Sequence, residues 1–217
     1  MSVFVFVPGA ALLLGFALVV SAIATIVATV REAREGVYIF KPLTTLLIIA
    51  LAWHQPASIP PYRTLVIAGL VFSLFGDVFL MLPRDRFVAG LVSFLIAHLL
   101  YIPAFAQGGF RLTIWLLVPF IVYAAILPRI LLPHVPAALK VPVIVYAAAL
   151  LVMAWQAAER GAAAVPGGLL AAIGGVLFVA SDSALALNRF ARPFRGADAP
   201  VLATYFAAQT LIALSIR

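Results

Sequence analysis

Apolar residues fill eight long blocks of this chain, separated by short breaks that are polar or rich in proline. The first block, about Val7 to Val30, is too long for a signal-peptide core, and its basic residues, Arg31 and Arg34, follow it instead of preceding it. It reads as a retained first span. Further blocks fall near 37–53, 62–82, 87–106, 112–132, 139–156, 165–187 and 200–216. Most approach the roughly 20 residues that cross a hydrocarbon core as a helix. The second reaches a workable length only if it begins near Val37 and lets Lys41 snorkel. Short breaks such as His54 to Pro61 and Pro83 to Arg86 suit connections between antiparallel neighbours. The predicted architecture is all-α, one transmembrane domain over residues 1–217 built as an eight-helix bundle.

Composition agrees, because a chain that is 66% apolar and only 10% charged, with a mean hydropathy of +1.21, belongs to an integral membrane protein of the plasma or inner membrane. The absence of cysteine excludes disulfides, thiol nucleophiles and cysteine-ligated metals. A formal charge of +7 does not point to nucleic acid here, since the basic residues sit at span ends and no basic stripe interleaves with aromatics. Their distribution carries topology instead. Arg31, Arg34, Lys41, Arg84, Arg86, Arg129, Lys140, Arg189, Arg192 and Arg195 fall on one side, against Arg63, Arg111, Arg160 and Arg217 on the other. By the positive-inside rule the first side is cytoplasmic, and both termini face away from the cytoplasm.

Two residues break the apolar blocks most sharply. An ionised carboxylate at the centre of a spanning helix costs about 2.5–3.5 kcal/mol, so such acids usually face a bundle interior and carry function. Asp77 and Asp182 are two of them, and they share the skeleton D-x-x-L-x-L-x-R, with Leu80, Leu82 and Arg84 matching Leu185, Leu187 and Arg189. Lys41-Pro42 with Ala52-Trp53 also resembles Lys140-Val141-Pro142 with Ala154-Trp155. These echoes suggest a four-plus-four repeat of parallel topology, because four spans return the chain to its starting side.

Depth brings further polar residues to the acids. Asp77 lies six residues before Pro83 and Asp182 six before Asn188, so each is about 9 Å inside the basic end of its span. Tyr205 and Gln209, spaced i, i+4, reach that layer from the eighth span, and Tyr146 reaches it from the sixth. His98 and Tyr101 sit somewhat deeper in the fourth span, and Lys41 stands at the mouth of the second. Each has a bland reading as well: the tyrosines and Gln209 as hydrogen-bonded cross-links between helices, His98 as a satisfied interior histidine, the arginines as headgroup anchors. The acids fit a bland reading worst, since only Lys41 and His98 are on offer as embedded partners.

Other chemistries lack their residues. There is no G-x-S-x-G elbow, no H-E-x-x-H, no Walker loop and no G-x-G-x-x-G. Ser181 beside Asp182 is no triad, as adjacent helical residues point about 100° apart. Two acids and one histidine make a poor metal set, so neither metal nor cofactor is expected.

At these residues the sequence resembles the YhhN family of membrane lysoplasmalogenases. The resemblance rests on Lys41-Pro42, Gly76-Asp77, the F-x-x-G-x-x-x-F-x-x-A-H-x-x-Y pattern from Phe87 to Tyr101, the G-x-x-L-F-x-x-S-D pattern ending at Asp182, Arg189-Phe190, and Y-x-x-A-Q from Tyr205 to Gln209. It implies an integral membrane hydrolase that splits the vinyl ether bond of lysoplasmalogen into a fatty aldehyde and a glycerophospho-alcohol. Asp77 and Asp182 would be its catalytic pair, working like the two carboxyls of a glycosidase: one protonated, one ionised. Lys41, His98, Tyr101, Tyr146, Ser181, Arg189, Tyr205 and Gln209 are then candidates for substrate contact, with Lys41 and Arg189 facing the lipid phosphate. The apolar flanks of Asp77 suggest the proton donor, and the hydroxyls of Ser181 and Ser183 beside Asp182 suggest the carboxylate that orients water. The rival reading is a proton-coupled transporter or lipid flippase using the same acids in repeated halves.

Overall fold

A computed structural model describes residues 8–217 apart from Ala57, so the expected start of the first span at Val7 and the middle of the His54 to Pro61 connection lie outside the described residues. The chain forms an all-α bundle: α1 (Pro8–Val30), α2 (Arg34–His54), α3 (Pro60–Met81), α4 (Phe87–Phe105), α5 (Ile114–Leu131), α6 (Ala137–Ala162), α7 (Gly168–Ala186) and α8 (Asp198–Leu214), with a π-turn over Leu187–Ala191. Seven of these helices are long and apolar enough to cross a membrane; α8, at 17 residues, is shorter. Large apolar side chains such as Phe16, Ile23, Trp115, Ile121 and Val176 lie exposed on the outside, where lipid takes the place of water.

Local chemistry explains the ends. Pro60 opens α3, where a missing N–H costs nothing. Glu32 turns α1 into α2 with φ 55°, and the Ala33 N–H reaches back to the Ala28 carbonyl at 2.8 Å, satisfying the frayed end of α1. Helix α6 continues six residues beyond the expected stop at Gln156, because Glu159 and Arg160 are buried in polar contacts and not in a solvated loop.

Sequential neighbours other than α4 and α5 pack antiparallel, and longer-range contacts close the bundle: α8 meets α1 and α2, and α6 meets α4. Advancing each helix by four exchanges α2–α8 with α6–α4, but it would turn α1–α8 into α5–α4, which does not pack, because α5 stands away from the bundle. The tightest approach, α3 on α4, uses small residues: a Cβ at Gly76 would come within 2.5 Å of the Phe94 ring, and one at Gly69 would overlap Tyr101. In contrast, α5 lies outermost and packs chiefly on α6 and the π-turn.

Candidate active site

The helix ends that carry the ten basic residues surround a cavity of about 690 Å³, bordered by all of the helices and by the π-turn. Asp77, Asp182, Lys41, Tyr146, Ser181, Arg189 and Tyr205 all contribute to its wall. Below its apolar lining the two acids are held quite differently.

Asp77 is 1% exposed. Its Oδ2 accepts hydrogen bonds from the Thr45 and Tyr205 hydroxyls, each at 2.7 Å, and its Oδ1 lies 3.4 Å from the Lys41 ammonium. Lys41 and Thr45 sit one helical turn apart on α2, so one face of that helix supplies both a cation and a donor. Three donors, one of them charged, stabilise the ionised form of this carboxyl. Asp182 is more open, with 13% of its side chain exposed. Its Oδ2 accepts a hydrogen bond from the Tyr146 hydroxyl and lies 3.7 Å from His98 Nε2, which is itself 3.0 Å from the Tyr146 oxygen. No protein donor reaches its Oδ1 among the described residues.

The helices that hold the acids correspond. Asp77 on α3 is gripped from α2 and α8, while Asp182 on α7 is gripped from α6 and α4. A shift of four helices maps one set onto the other, although the chemistry differs: lysine and hydroxyls on one side, tyrosine and histidine on the other.

The remaining expected residues divide. Tyr101 and Gln209 are fully buried away from the cavity; the Tyr101 hydroxyl donates to Gln209 Oε1 at 2.9 Å, and Gln209 Nε2 donates to the Tyr205 oxygen at 3.5 Å, so the pair supports Tyr205 from behind. His98 is likewise fully buried and touches Asp182 from below. Ser181 and Ser183 do not turn toward Asp182. The Ser181 hydroxyl donates to the Val201 carbonyl of α8, and that of Ser183 bonds the Val179 carbonyl and the Tyr123 hydroxyl. Arg189, on the π-turn, lies 4.0 Å over the Phe87 ring and donates to Asp85 at 2.8 Å across the cavity mouth. The Phe87 N–H, then Arg189, hold the exposed Asp85 carboxyl below the usual carboxylate range. Among residues not anticipated, Thr45 carried a signal, the i, i+4 spacing to Lys41. Tyr123, in the cavity wall, carried none.

Among the described residues, no group of three His, Cys, Asp or Glu side chains is arranged to hold a metal ion. The YhhN family model matches residues 36–216, nearly the whole chain. The chain belongs to the YhhN family. Relatives include the bovine (Bos taurus) lysoplasmalogenase TMEM86A, 36% identical over 160 residues that cover 71% of this chain and 66% of that protein, just under two thirds. The human (Homo sapiens) lysoplasmalogenase TMEM86B is 34% identical over 175 residues, 81% of this chain and 73% of its own. A protein of Escherichia coli O6:H1 named as an uncharacterized membrane protein YhhN is 33% identical over 186 residues, covering 82% and 86%. No solved structure matches the chain.

Proposed function

We propose that this chain is an integral membrane ether hydrolase that cleaves the vinyl ether bond of lysoplasmalogen. The observation that carries the reading is the pair of acids from different halves lining one cavity at one end of the bundle. Relatives named lysoplasmalogenase support the substrate class. A single-chain lipid fits the site: the cavity lies within the 300–1,000 Å³ common for ligand pockets, most of its lining is apolar, and Arg189 borders it where a phosphate could lie.

The chemistry needs one acid that gives up a proton and one anion that stays ionised. Asp77, paired with Lys41 and two hydroxyls, suits the anion; Asp182, with its free Oδ1 in the cavity, suits the donor. This reverses the division expected from sequence neighbours, because the serines beside Asp182 spend their hydroxyls on backbone carbonyls and on Tyr123. Asp182 protonates the outer alkene carbon, leaving an oxocarbenium ion that the Asp77 carboxylate stabilises. Water adds to the carbon bearing the ether oxygen and returns a proton to Asp182. The resulting hemiacetal collapses to fatty aldehyde and glycerophospho-alcohol, so one water is consumed and nothing is oxidised.

The correspondence of the two halves favours a second reading, proton-coupled lipid transport. Both acids, however, lie near one end, whereas transporter sites sit near the midplane. Incubating the purified protein with lysoplasmalogen in detergent, where no gradient exists, separates the two: hydrolysis releases aldehyde detectable by mass spectrometry, and a transporter releases none.

A further inference from the structure

Behind Asp182 stand two side chains to which the reaction above gives no part, His98 on α4 and Tyr146 on α6. The Tyr146 hydroxyl bonds Asp182 Oδ2, and its oxygen lies 3.0 Å from His98 Nε2. His98 Nε2 is 3.7 Å from the carboxyl, beyond hydrogen-bond reach, so the hydrogen bond of that nitrogen goes to the tyrosine. The imidazole is fully buried, and its Nδ1 meets no protein partner. That orphan nitrogen sets the direction of the chain. Two of the three protonation states of an imidazole, the imidazolium and the Nδ1–H tautomer, put a proton on Nδ1. There it would face no polar atom, and the Phe178 ring, 4.8 Å away between centroids, is at most a weak acceptor. Buried N–H groups without a partner are rarer than under-used acceptors. The neutral Nε2–H tautomer avoids one, leaving a bare ring nitrogen among apolar neighbours and putting the proton on the nitrogen that has a partner.

His98 then donates to the Tyr146 oxygen, and the Tyr146 O–H donates to Asp182 Oδ2. Asp77 is held by donors in the same order. Tyr101 donates to Gln209 Oε1 at 2.9 Å, which turns Gln209 Nε2 toward the Tyr205 oxygen at 3.5 Å, and the Tyr205 hydroxyl donates to Asp77 Oδ2 at 2.7 Å. At each acid an N–H steers a tyrosine, and the tyrosine occupies one carboxyl oxygen. We propose that His98 and Tyr146 are positioning residues, whose hydrogen bonds keep Oδ2 an acceptor and so leave the acidic proton of Asp182 on Oδ1, the oxygen open to the cavity. The proposal rests on the hydrolase reading in taking Asp182 as the proton donor. In the transfer the Oδ1–H bond breaks and its electron pair stays on the carboxylate, while the alkene π pair forms the new C–H bond; the Tyr146 bond to Oδ2 persists throughout. With the chain reversed, the proton would lie on Oδ2 against Tyr146, turned away from the alkene.

The test reads the imidazole directly. Full-length protein carrying ring-¹⁵N histidine is studied by NMR in detergent at the pH of the turnover assay; the chain has three histidines, and the His98 signals are those that vanish in His98→Gln. They should show a neutral ring protonated at Nε2. A proton on Nδ1, alone or in an imidazolium, would overturn the proposal. Kinetics then test the role. Tyr146→Phe and His98→Leu each break the chain and should lower kcat about tenfold with KM held within about twofold, whereas His98→Gln, whose Nε2 takes the place of the imidazole Nε2, should stay within about threefold of the unaltered protein. Unchanged kcat in Tyr146→Phe, or a loss in His98→Gln as large as in His98→Leu, would equally overturn it. The nitrogen spectra need no substrate, so failure of the hydrolase reading, seen as no aldehyde from the unaltered protein, is told apart from failure of the chain.

Discussion

Replacing Lys41 by Met removes the cation held against Asp77 and leaves the rest of that carboxyl's shell in place. Asp77 is 1% exposed, so its charge cannot be recovered by water; its Oδ1 loses the ammonium at 3.4 Å while Oδ2 keeps two hydroxyl donors at 2.7 Å. Breaking a buried pair from one side costs about 3–5 kcal/mol, and the retained hydroxyls place this case at the low end, about 3 kcal/mol. For a chain of this length that is a fall of about 6–12 °C in thermal midpoint. Asp77→Asn strands Lys41 instead, but that side chain is 11% exposed and borders the cavity, so the loss is smaller, about 2 kcal/mol. The double variant Lys41→Met with Asp77→Asn leaves no charge stranded and should regain about half of the summed losses, a coupling of about 2–3 kcal/mol. Thermal unfolding of the four proteins in one detergent measures the cycle, and turnover measured alongside should fall at least about 10²-fold in both variants that carry Asp77→Asn, because the catalytic anion is gone whether or not stability is restored. Additive losses in the double variant would refute the ion pair. Full turnover in the stable double variant would remove Asp77 from the chemistry.

Asp182→Asn should lower kcat at least about 10²-fold, and an activated vinyl ether that protonates readily should partly rescue it but not Asp77→Asn; the opposite pattern would restore the assignment read from sequence neighbours. Gly69→Ala places a methyl on the ring of Tyr101, which is fully buried and fixed by Gln209, so overpacking should cost about 1–3 kcal/mol in a denaturation assay, and an unchanged midpoint would contradict the close approach of α3 and α4. Because the chain has no cysteine, Phe194→Cys offers a single thiol at an exposed position between α7 and α8. An impermeant reagent should leave it unlabelled in intact cells and label it after lysis; labelling in intact cells would invert the orientation.

The spans were readable because a helix in lipid needs an unbroken apolar block, and the breaks are where proline and polar residues gather. Their ends were less so: Glu159 and Arg160 have the composition of a loop, and Thr113, Gln107 and Tyr62, brought from elsewhere in the fold, hold them buried near the end of α6. The acids stood out by cost, and their common depth followed from counting residues along antiparallel helices. What counting could not supply was direction around each helix. Ser181 and Ser183 flank Asp182 in sequence yet turn to Val201 and Tyr123, whereas Thr45 and Tyr205, 32 and 128 residues away, grip Asp77. Tyr101 and Gln209 share the polar layer but face each other.

Isotope placement tests the central claim most directly. Purified protein is incubated with lysoplasmalogen in deuterium oxide and the released aldehyde is read by mass spectrometry. Protonation of the outer alkene carbon predicts an aldehyde carrying one deuterium on the carbon next to the carbonyl, formed by the unaltered protein and at least about 10²-fold more slowly by Asp182→Asn. No aldehyde, or an aldehyde without that deuterium, would contradict the account.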